Sequence, residues 1–181
     1  MDNRDEILDR IVEAELEMFQ QVNIGNDEYS RACKEKPQTF KLMRWMSHSV
    51  LSTETIKSYL SDLMNAQKEK RNLMTEKYAL MEELIPHPYH DPELINDIVE
   101  NELIWMSELR EKYPDIIRGD SGYFKKYMIC EYETYSEETL RSLRKDILKA
   151  KQERRNLPEL RYKNLFKRLG YDSIEEGFYR F

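Results

Sequence analysis

The chain has 181 residues, of which 40% are apolar and 35% are charged, and its formal net charge is −6. A chain of this length can bury a substantial core, and the composition is that of a globular rather than a disordered protein. Five glycines and six prolines are too few for the many turns of a β-rich fold, which favours long helices with short connections. The acidic balance argues against a general nucleic-acid binder, so we expect no nucleic-acid partner.

The sequence predicts neither a membrane span nor an exported protein. Its acidic N-terminus, MDNRDEILDR, lacks the long apolar run that a signal peptide or a transmembrane helix requires. Cys33 and Cys130 share no close spacing with each other or with a histidine. This pattern suits a reducing cytosol better than a disulfide framework or a zinc site. We therefore expect a cytoplasmic protein.

Apolar residues recur at helical spacing along the whole chain. In the first half they predict helices near residues 4–22, 38–49, 53–71 and 74–85. Residues 86–91 contain two prolines and are interpreted as a linker. In the second half the pattern predicts helices near residues 92–112, 121–133, 137–155 and 158–169, then a short C-terminal helix at 173–179. The sequence thus predicts an all-α fold, a compact helical bundle in which residues 1–181 form a single domain.

The two halves of the chain resemble each other. Residues 52–81 align without a gap on residues 136–165, and 11 of the 30 positions are identical. The segment IVEAELEMF in the first half likewise matches IVENELIWM in the second, in the same order along the chain. Such internal similarity indicates duplication. We predict two pseudo-symmetric helical repeats, about residues 4–85 and 92–170, related by a pseudo-twofold axis.

The aligned segments also carry signals for helix ends. Ser52 and Ser136 stand where an N-cap is needed, each before an acidic first turn. In both copies an Arg-Asn-Leu triplet follows a cationic last turn. Asparagine tolerates the left-handed conformation that ends many helices. We therefore predict that Asn72 and Asn156 are helix stops rather than parts of a phosphate site.

Four charged residues fall on the apolar faces of predicted helices. At about 100° per residue, Glu15 lies in the middle of the apolar stripe of the first helix, and Glu102 takes the same place in its duplicate. Arg44 interrupts the apolar face of the second helix, and Glu131 lies on the stripe of the equivalent helix. A buried charge is costly unless it is paired. One hypothesis is a semi-buried polar cluster of all four between the halves; the other is a structural Glu15–Arg44 salt bridge with two glutamates at the rim.

Such a cluster has more than one chemical use. Three facing carboxylates suit a divalent cation in a helical bundle, but the usual Glu-x-x-His spacing is missing from the sequence. We therefore assign no metal ligand and leave the cofactor open. An amine or a guanidinium held between Glu15, Glu102 and Trp105 is an equally good interpretation. Cys33, in a predicted loop, is a further candidate because an exposed thiol can react, although an unreactive buried thiol is the commoner case.

Several short stretches, each weak alone, together span nearly the whole chain. They include Glu15-Leu-Glu-Met-Phe19, Arg31-Ala-Cys33, Met43-Arg44, Trp105-Met106 and Gly170-Tyr-Asp-Ser173. As a group they resemble a bacterial family, the domain of unknown function 4125. The resemblance implies that Glu15, Cys33 and Arg44 matter, because the family pattern runs through them, and it implies no activity. The chain departs from that pattern at Lys34 and at residues 46–51, which implies that a ligand bound there would differ from that of other members.

Two classes of function follow from these observations. The first is a non-catalytic protein that binds a small molecule or a protein partner through the polar cluster between its repeats. The second is an enzyme that acts through Glu15, Arg44 and Glu102, with or without a metal. The sequence has no nucleophile motif, phosphate loop or complete metal set, which favours the first. The oligomeric state is not predicted. The candidate binding residues are Glu15, Arg44, Glu102, Glu131, Trp105 and Cys33.

Overall fold

A computed structural model of the chain describes residues 3–23, 35–88, 91–115, 117 and 121–180. Nine α-helices lie within these residues, none of which forms a β-strand. In chain order they are α1 (Arg4–Gln20), α2 (Pro37–His48), α3 (Thr53–Lys68), α4 (Leu73–Met81), α5 (Pro92–Lys112), α6 (Ser121–Tyr132), α7 (Glu137–Gln152), α8 (Leu157–Arg168) and α9 (Ile174–Arg180). The predicted all-α class is confirmed, and every predicted helix is present.

Three helices end three or four residues earlier than the sequence pattern predicts. Just beyond α3, α4 and α7 the backbone turns left-handed, at Lys70 (φ 58°), Glu83 (φ 57°) and Arg154 (φ 54°). After Lys70, the Arg71 amide donates to the carbonyl of Ala66 at 2.8 Å. This hydrogen bond is the Schellman closure, which satisfies a carbonyl that the helix leaves free. α3 therefore ends at Lys68, before the cationic residues Lys70 and Arg71.

Asn72 and Asn156 are N-caps of the following helices, so the prediction that they stop the preceding ones is wrong. The Asn72 side chain accepts a hydrogen bond from the Thr75 amide at 2.9 Å at the start of α4. Asn156 accepts one from the Glu159 amide at 3.0 Å at the start of α8. The Asn72 amide nitrogen also donates to the carbonyl of Met18 in α1, at 2.9 Å. An amide side chain both accepts and donates, which lets one residue cap a helix and tie it to another.

The predicted serine caps are confirmed, and they also link α3 to α7. Each serine hydroxyl accepts a hydrogen bond from the backbone amide three residues later, at 3.2 Å in both cases. The amide of Ser52 donates to Asp146 at 2.9 Å, and the amide of Ser136 donates to Asp62 at 3.0 Å. Each helix start is thus bound to the middle of the other helix. A duplication would give such a reciprocal pair; the pseudo-twofold packing of whole repeats stays a prediction.

A large apolar core joins the N-terminal half (residues 4–85) to the C-terminal half (residues 92–170). It includes Ile11, Leu63, Ile98 and Leu140, all of which are fully buried. Burying a side chain of this size contributes about 1.5–3 kcal/mol relative to leaving it exposed. α3 packs against α7 at the centre, with α1 beside α3 and α5 beside α7. No helix among the described residues is both long enough and apolar enough to cross a membrane.

The outer helices pack across the two halves. α4 of the N-terminal half packs against α6 of the C-terminal half, and α2 packs against α8. The polar faces of these helices therefore meet side chains from the other half of the chain. The candidate residues lie where these contacts meet the apolar core.

Candidate functional site

Glu15 and Arg44 form a buried ion pair between α1 and α2. The apolar stripe of α1 faces the core, so a residue in its middle is carried inward, and Glu15 has no exposed surface. The Arg44 guanidinium donates from Nε to Oε2 of Glu15 at 2.9 Å and from Nη2 to Oε1 at 2.5 Å. This two-point contact is the strong geometry for an arginine and a carboxylate. The pair fixes both side chains in position.

The same guanidinium also binds Glu131 of α6, in the C-terminal half. Nη1 of Arg44 donates to Oε2 of Glu131 at 3.1 Å, and Nη2 donates to Oε1 at 2.8 Å. Both side chains are largely buried. One arginine therefore bridges two carboxylates that come from different halves of the chain. The structure brings Glu15, Arg44 and Glu131 together.

A second buried cation, Lys77 of α4, completes the charge balance and was missed by sequence reasoning. Its ammonium group donates to Glu131 at 3.2 Å and to the Tyr127 hydroxyl at 2.9 Å. It lies 4.3 Å from the ring centroid of Tyr127 and 5.0 Å from that of Tyr78, within the range of cation–π attraction. Projection of α4 would have found it, because Lys77 lies one helical turn from buried residues such as Leu80.

Three further side chains contact carboxylate oxygens that already accept hydrogen bonds from Arg44. The Tyr59 hydroxyl donates to Oε1 of Glu15 at 2.8 Å, and Nε2 of His48 lies 3.0 Å from the same oxygen. The Tyr135 hydroxyl donates to Oε1 of Glu131 at 3.1 Å. Buried charge is tolerated when its hydrogen-bonding capacity is filled in this way. We call the set Glu15, Arg44, His48, Tyr59, Lys77, Tyr127, Glu131 and Tyr135 the buried network.

Electrostatic pairing within the network holds both carboxylates ionised. Burial acts to raise the pKa of Glu15, but the charges of Arg44 and His48, and their hydrogen bonds, lower it to about 2. Burial likewise opposes ionisation of Glu131, yet Arg44 and Lys77 bring its pKa well below the ordinary value. The pKa of Arg44 is raised, because the two carboxylates outweigh the effect of burial. Glu15 and Glu131 are thus paired with the basic side chains of Arg44 and Lys77.

Glu102 is not part of this network. It is fully buried, and both its oxygens accept hydrogen bonds from the Arg161 guanidinium of α8, at 2.6 Å each. The reason lies in the aligned positions, because Met128 replaces Arg44 in the second copy and cannot neutralise a carboxylate. Arg161, which aligns with Lys77, provides the charge instead. The expectation that Glu102 would join Glu15 and Arg44 is therefore wrong.

The other two candidates fall in different places. Trp105 is buried in the main apolar core. Its backbone carbonyl accepts a hydrogen bond from the Asn156 side chain at 2.8 Å. It lies one turn beyond Glu102 on α5. Cys33 lies outside the described residues.

A cavity of about 300 Å³ lies between the two halves, and we call it the interhalf cleft. Its walls are residues between 62 and 80 of α3, α4 and their connection, the proline-containing segment 85–88, and residues 133–136. Glu15, Arg44 and Glu131 do not line it. The cleft touches the buried network through Tyr135, which lines the cavity and donates to Glu131.

The family comparison covers this whole arrangement. A family model described as "Protein of unknown function (DUF4125)" matches residues 5–177 of the 181. The chain belongs to this family. The resemblance drawn from the short sequence stretches is thereby confirmed. Neither the curated proteins nor the solved structures contain a significant match to the chain.

The DUF4125 match includes the buried network, the Glu102–Arg161 pair and the interhalf cleft. Membership of the family assigns no activity. A function for this DUF4125 protein therefore has to be argued from its own geometry.

Proposed function

We propose that this protein is a non-catalytic binding or accessory protein that takes a small ligand or a partner peptide in the interhalf cleft. The observation that carries the proposal is the contact of the buried network with that cleft through Tyr135. The network joins α1, α2, α3, α4 and α6, so it fixes the helices that form the cleft walls on their buried side. A binding site preformed by rigid elements loses little entropy when it is filled.

The state of the two carboxylates favours binding over acid–base catalysis. A general base works best when its pKa is near the working pH. Glu15, with a pKa of about 2, stays ionised but is a weak base, and the lowered pKa of Glu131 has the same consequence. Each of their four oxygens already accepts at least one hydrogen bond. These groups are arranged to remain charged and fixed.

The alternative of an enzyme that acts through Glu15, Arg44 and Glu102 requires the three side chains at one place. Glu102 instead makes its two-point contact with Arg161. The three side chains on which that alternative depends are therefore not at one place.

The interhalf cleft, at about 300 Å³, is at the lower end of the volumes of small-molecule sites.

Native mass spectrometry of the full chain purified from its own host tests the proposal. We expect an added mass, from a small molecule or a bound peptide, that is lost when Thr134 in the cleft wall is replaced by tryptophan. A matched variant, Ile104→Trp, changes an exposed residue outside the cleft and should keep the added mass. A bare chain in all three samples would count against binding, and retention of the mass in Thr134→Trp would place the site elsewhere.

A further inference from the structure

We infer that the occupant of the interhalf cleft is a basic segment of a partner protein, anchored by an aliphatic or aromatic side chain. This inference rests on the proposed function and narrows it from any ligand to one class of partner.

The walls of the cleft are acidic. Four carboxylates line it, against one guanidinium: Asp62, Glu69, Glu76, Glu133 and Arg71. Arg71 binds Glu76 at 2.8 Å through two nitrogens and reaches Glu69 at 3.3 Å, so a single cation serves two of the carboxylates. Glu133 lies 2.7 Å from Nδ1 of His87, and carboxylates still outnumber the guanidinium among the lining residues. Such a surface attracts a cationic partner and repels an acidic one.

The floor and one rim are apolar. Ala66, Leu73 and Leu80 are buried residues that line the cavity. At the rim, Ile85 is 38% exposed and its neighbour Leu84 is 65% exposed. Contiguous exposed apolar surface rimmed by polar residues is typical of interaction sites. Because this strip extends beyond the cavity, a small cation would leave it uncovered, whereas a peptide segment would cover both.

Prolines stiffen the segment that closes the cleft. Pro86 and Pro88 line it beside Ile85, and each fixes its own backbone φ angle. Another part of the wall is held by Ser136, whose amide donates to Asp62 at 3.0 Å. A groove with fixed walls selects an anchor side chain by size, and the flanking acids then select basic neighbours. This division of roles is common in peptide recognition.

Selection of peptides on the full chain tests the inference without assuming a sequence. Phage-displayed random dodecapeptides are selected on the wild-type protein, with Leu84→Ser protein in solution as competitor. We expect enriched peptides that combine Lys or Arg with at least one Leu, Ile, Phe or Trp. An enriched peptide is then labelled, and its Kd is measured by fluorescence anisotropy.

Two variants and two matched controls test which side chains contribute to the Kd of the labelled peptide. Glu69→Lys should weaken the labelled peptide at least tenfold, and Leu84→Ser should do the same. Glu175→Lys makes the same charge change on α9 at an exposed site outside the cleft, and Ile104→Ser removes an exposed apolar residue elsewhere. Both controls should bind the peptide within about twofold of wild type. Circular dichroism confirms that all four are folded.

Three results would overturn the inference. Equal weakening by Glu175→Lys would show attraction to the overall charge rather than to the cleft. Enrichment of neutral or acidic peptides, or of none, would exclude the basic segment; a small-molecule mass in native mass spectrometry would then leave the proposed function standing. Dimerisation in analytical ultracentrifugation that Leu84→Ser abolishes would identify a second copy as the occupant.

Discussion

Replacing Arg44 by methionine tests whether the buried network is held together by its own charges. Methionine stands at the aligned position in the second half, Met128, so the change suits a helix at this place. The substitution removes four hydrogen bonds, two to Glu15 and two to Glu131. Glu131 keeps Lys77 at 3.2 Å, whereas Glu15 loses its permanent positive partner.

The expected loss is about 3–5 kcal/mol of unfolding free energy at neutral pH, the cost of leaving a buried ion partner uncompensated. Urea unfolding followed by circular dichroism measures it. The control is Lys41→Met on the same helix, since Lys41 pairs with Glu13 at a partly exposed site. An exposed pair contributes less than about 1 kcal/mol, so the control should unfold close to wild type.

The pH dependence of the unfolding free energy gives a second, independent test. In the wild type the folded pKa of Glu15, about 2, lies below the unfolded value of about 4.3. This carboxylate therefore stabilises the fold above the unfolded pKa, and the contribution is lost as pH falls towards 2. Without Arg44, burial should raise the folded pKa instead, so acidification from pH 7 to pH 5 should narrow the gap to wild type. A loss below about 1 kcal/mol, or a gap that widens on acidification, would refute the reasoning.

Three other perturbations have expected outcomes. Wild-type stability should fall as pH drops from about 4.3 towards 2, and Glu15→Gln, although destabilised at neutral pH, should lose less over the same range; a parallel fall in acid urea titrations would contradict this. Gly177→Ala would place a Cβ 2.1 Å from the Phe166 ring, so we expect about 1–3 kcal/mol of overpacking and earlier proteolysis near α9, with unchanged cleavage as the contrary result. Asn72→Ala should cost about 1 kcal/mol as a lost cap plus its hydrogen bond to Met18, whereas Asn72→Asp keeps the cap acceptor and should recover part of the loss in thermal unfolding.

Helix periodicity was enough to find the residues that are buried, because burial follows from position on a single helix. Glu15, Arg44, Glu102 and Glu131 all lie at less than a tenth of full exposure. The same projection, applied to α4, would have added Lys77. In each case a charged residue sits where its neighbours one turn away are apolar, and that signal is local.

The pairing of these residues could not be predicted from the same pattern, because it depends on how the helices cross. Glu102 finds Arg161 because α8 packs against α5. Lys77 reaches Glu131 because α4 packs against α6. Nothing in one helix indicates which partner helix will face it. The asparagine caps were misread for a related reason, since the Arg-Asn-Leu triplet fits both the end of one helix and the start of the next.

The two aligned halves differ at positions that line the interhalf cleft. Ser49 and Asn164 align with Glu133 and Leu80 of the cleft wall. At that second place the Asn164 side chain donates to the Ser49 hydroxyl at 3.1 Å, and Arg4 donates to the Ser49 carbonyl at 2.9 Å. The first of these hydrogen bonds links α8 to the residue that follows α2. In the cleft, an acid and an apolar residue stand at the same two positions and leave space between them. The predicted duplication requires no such difference, whereas the proposed binding in the cleft would account for it.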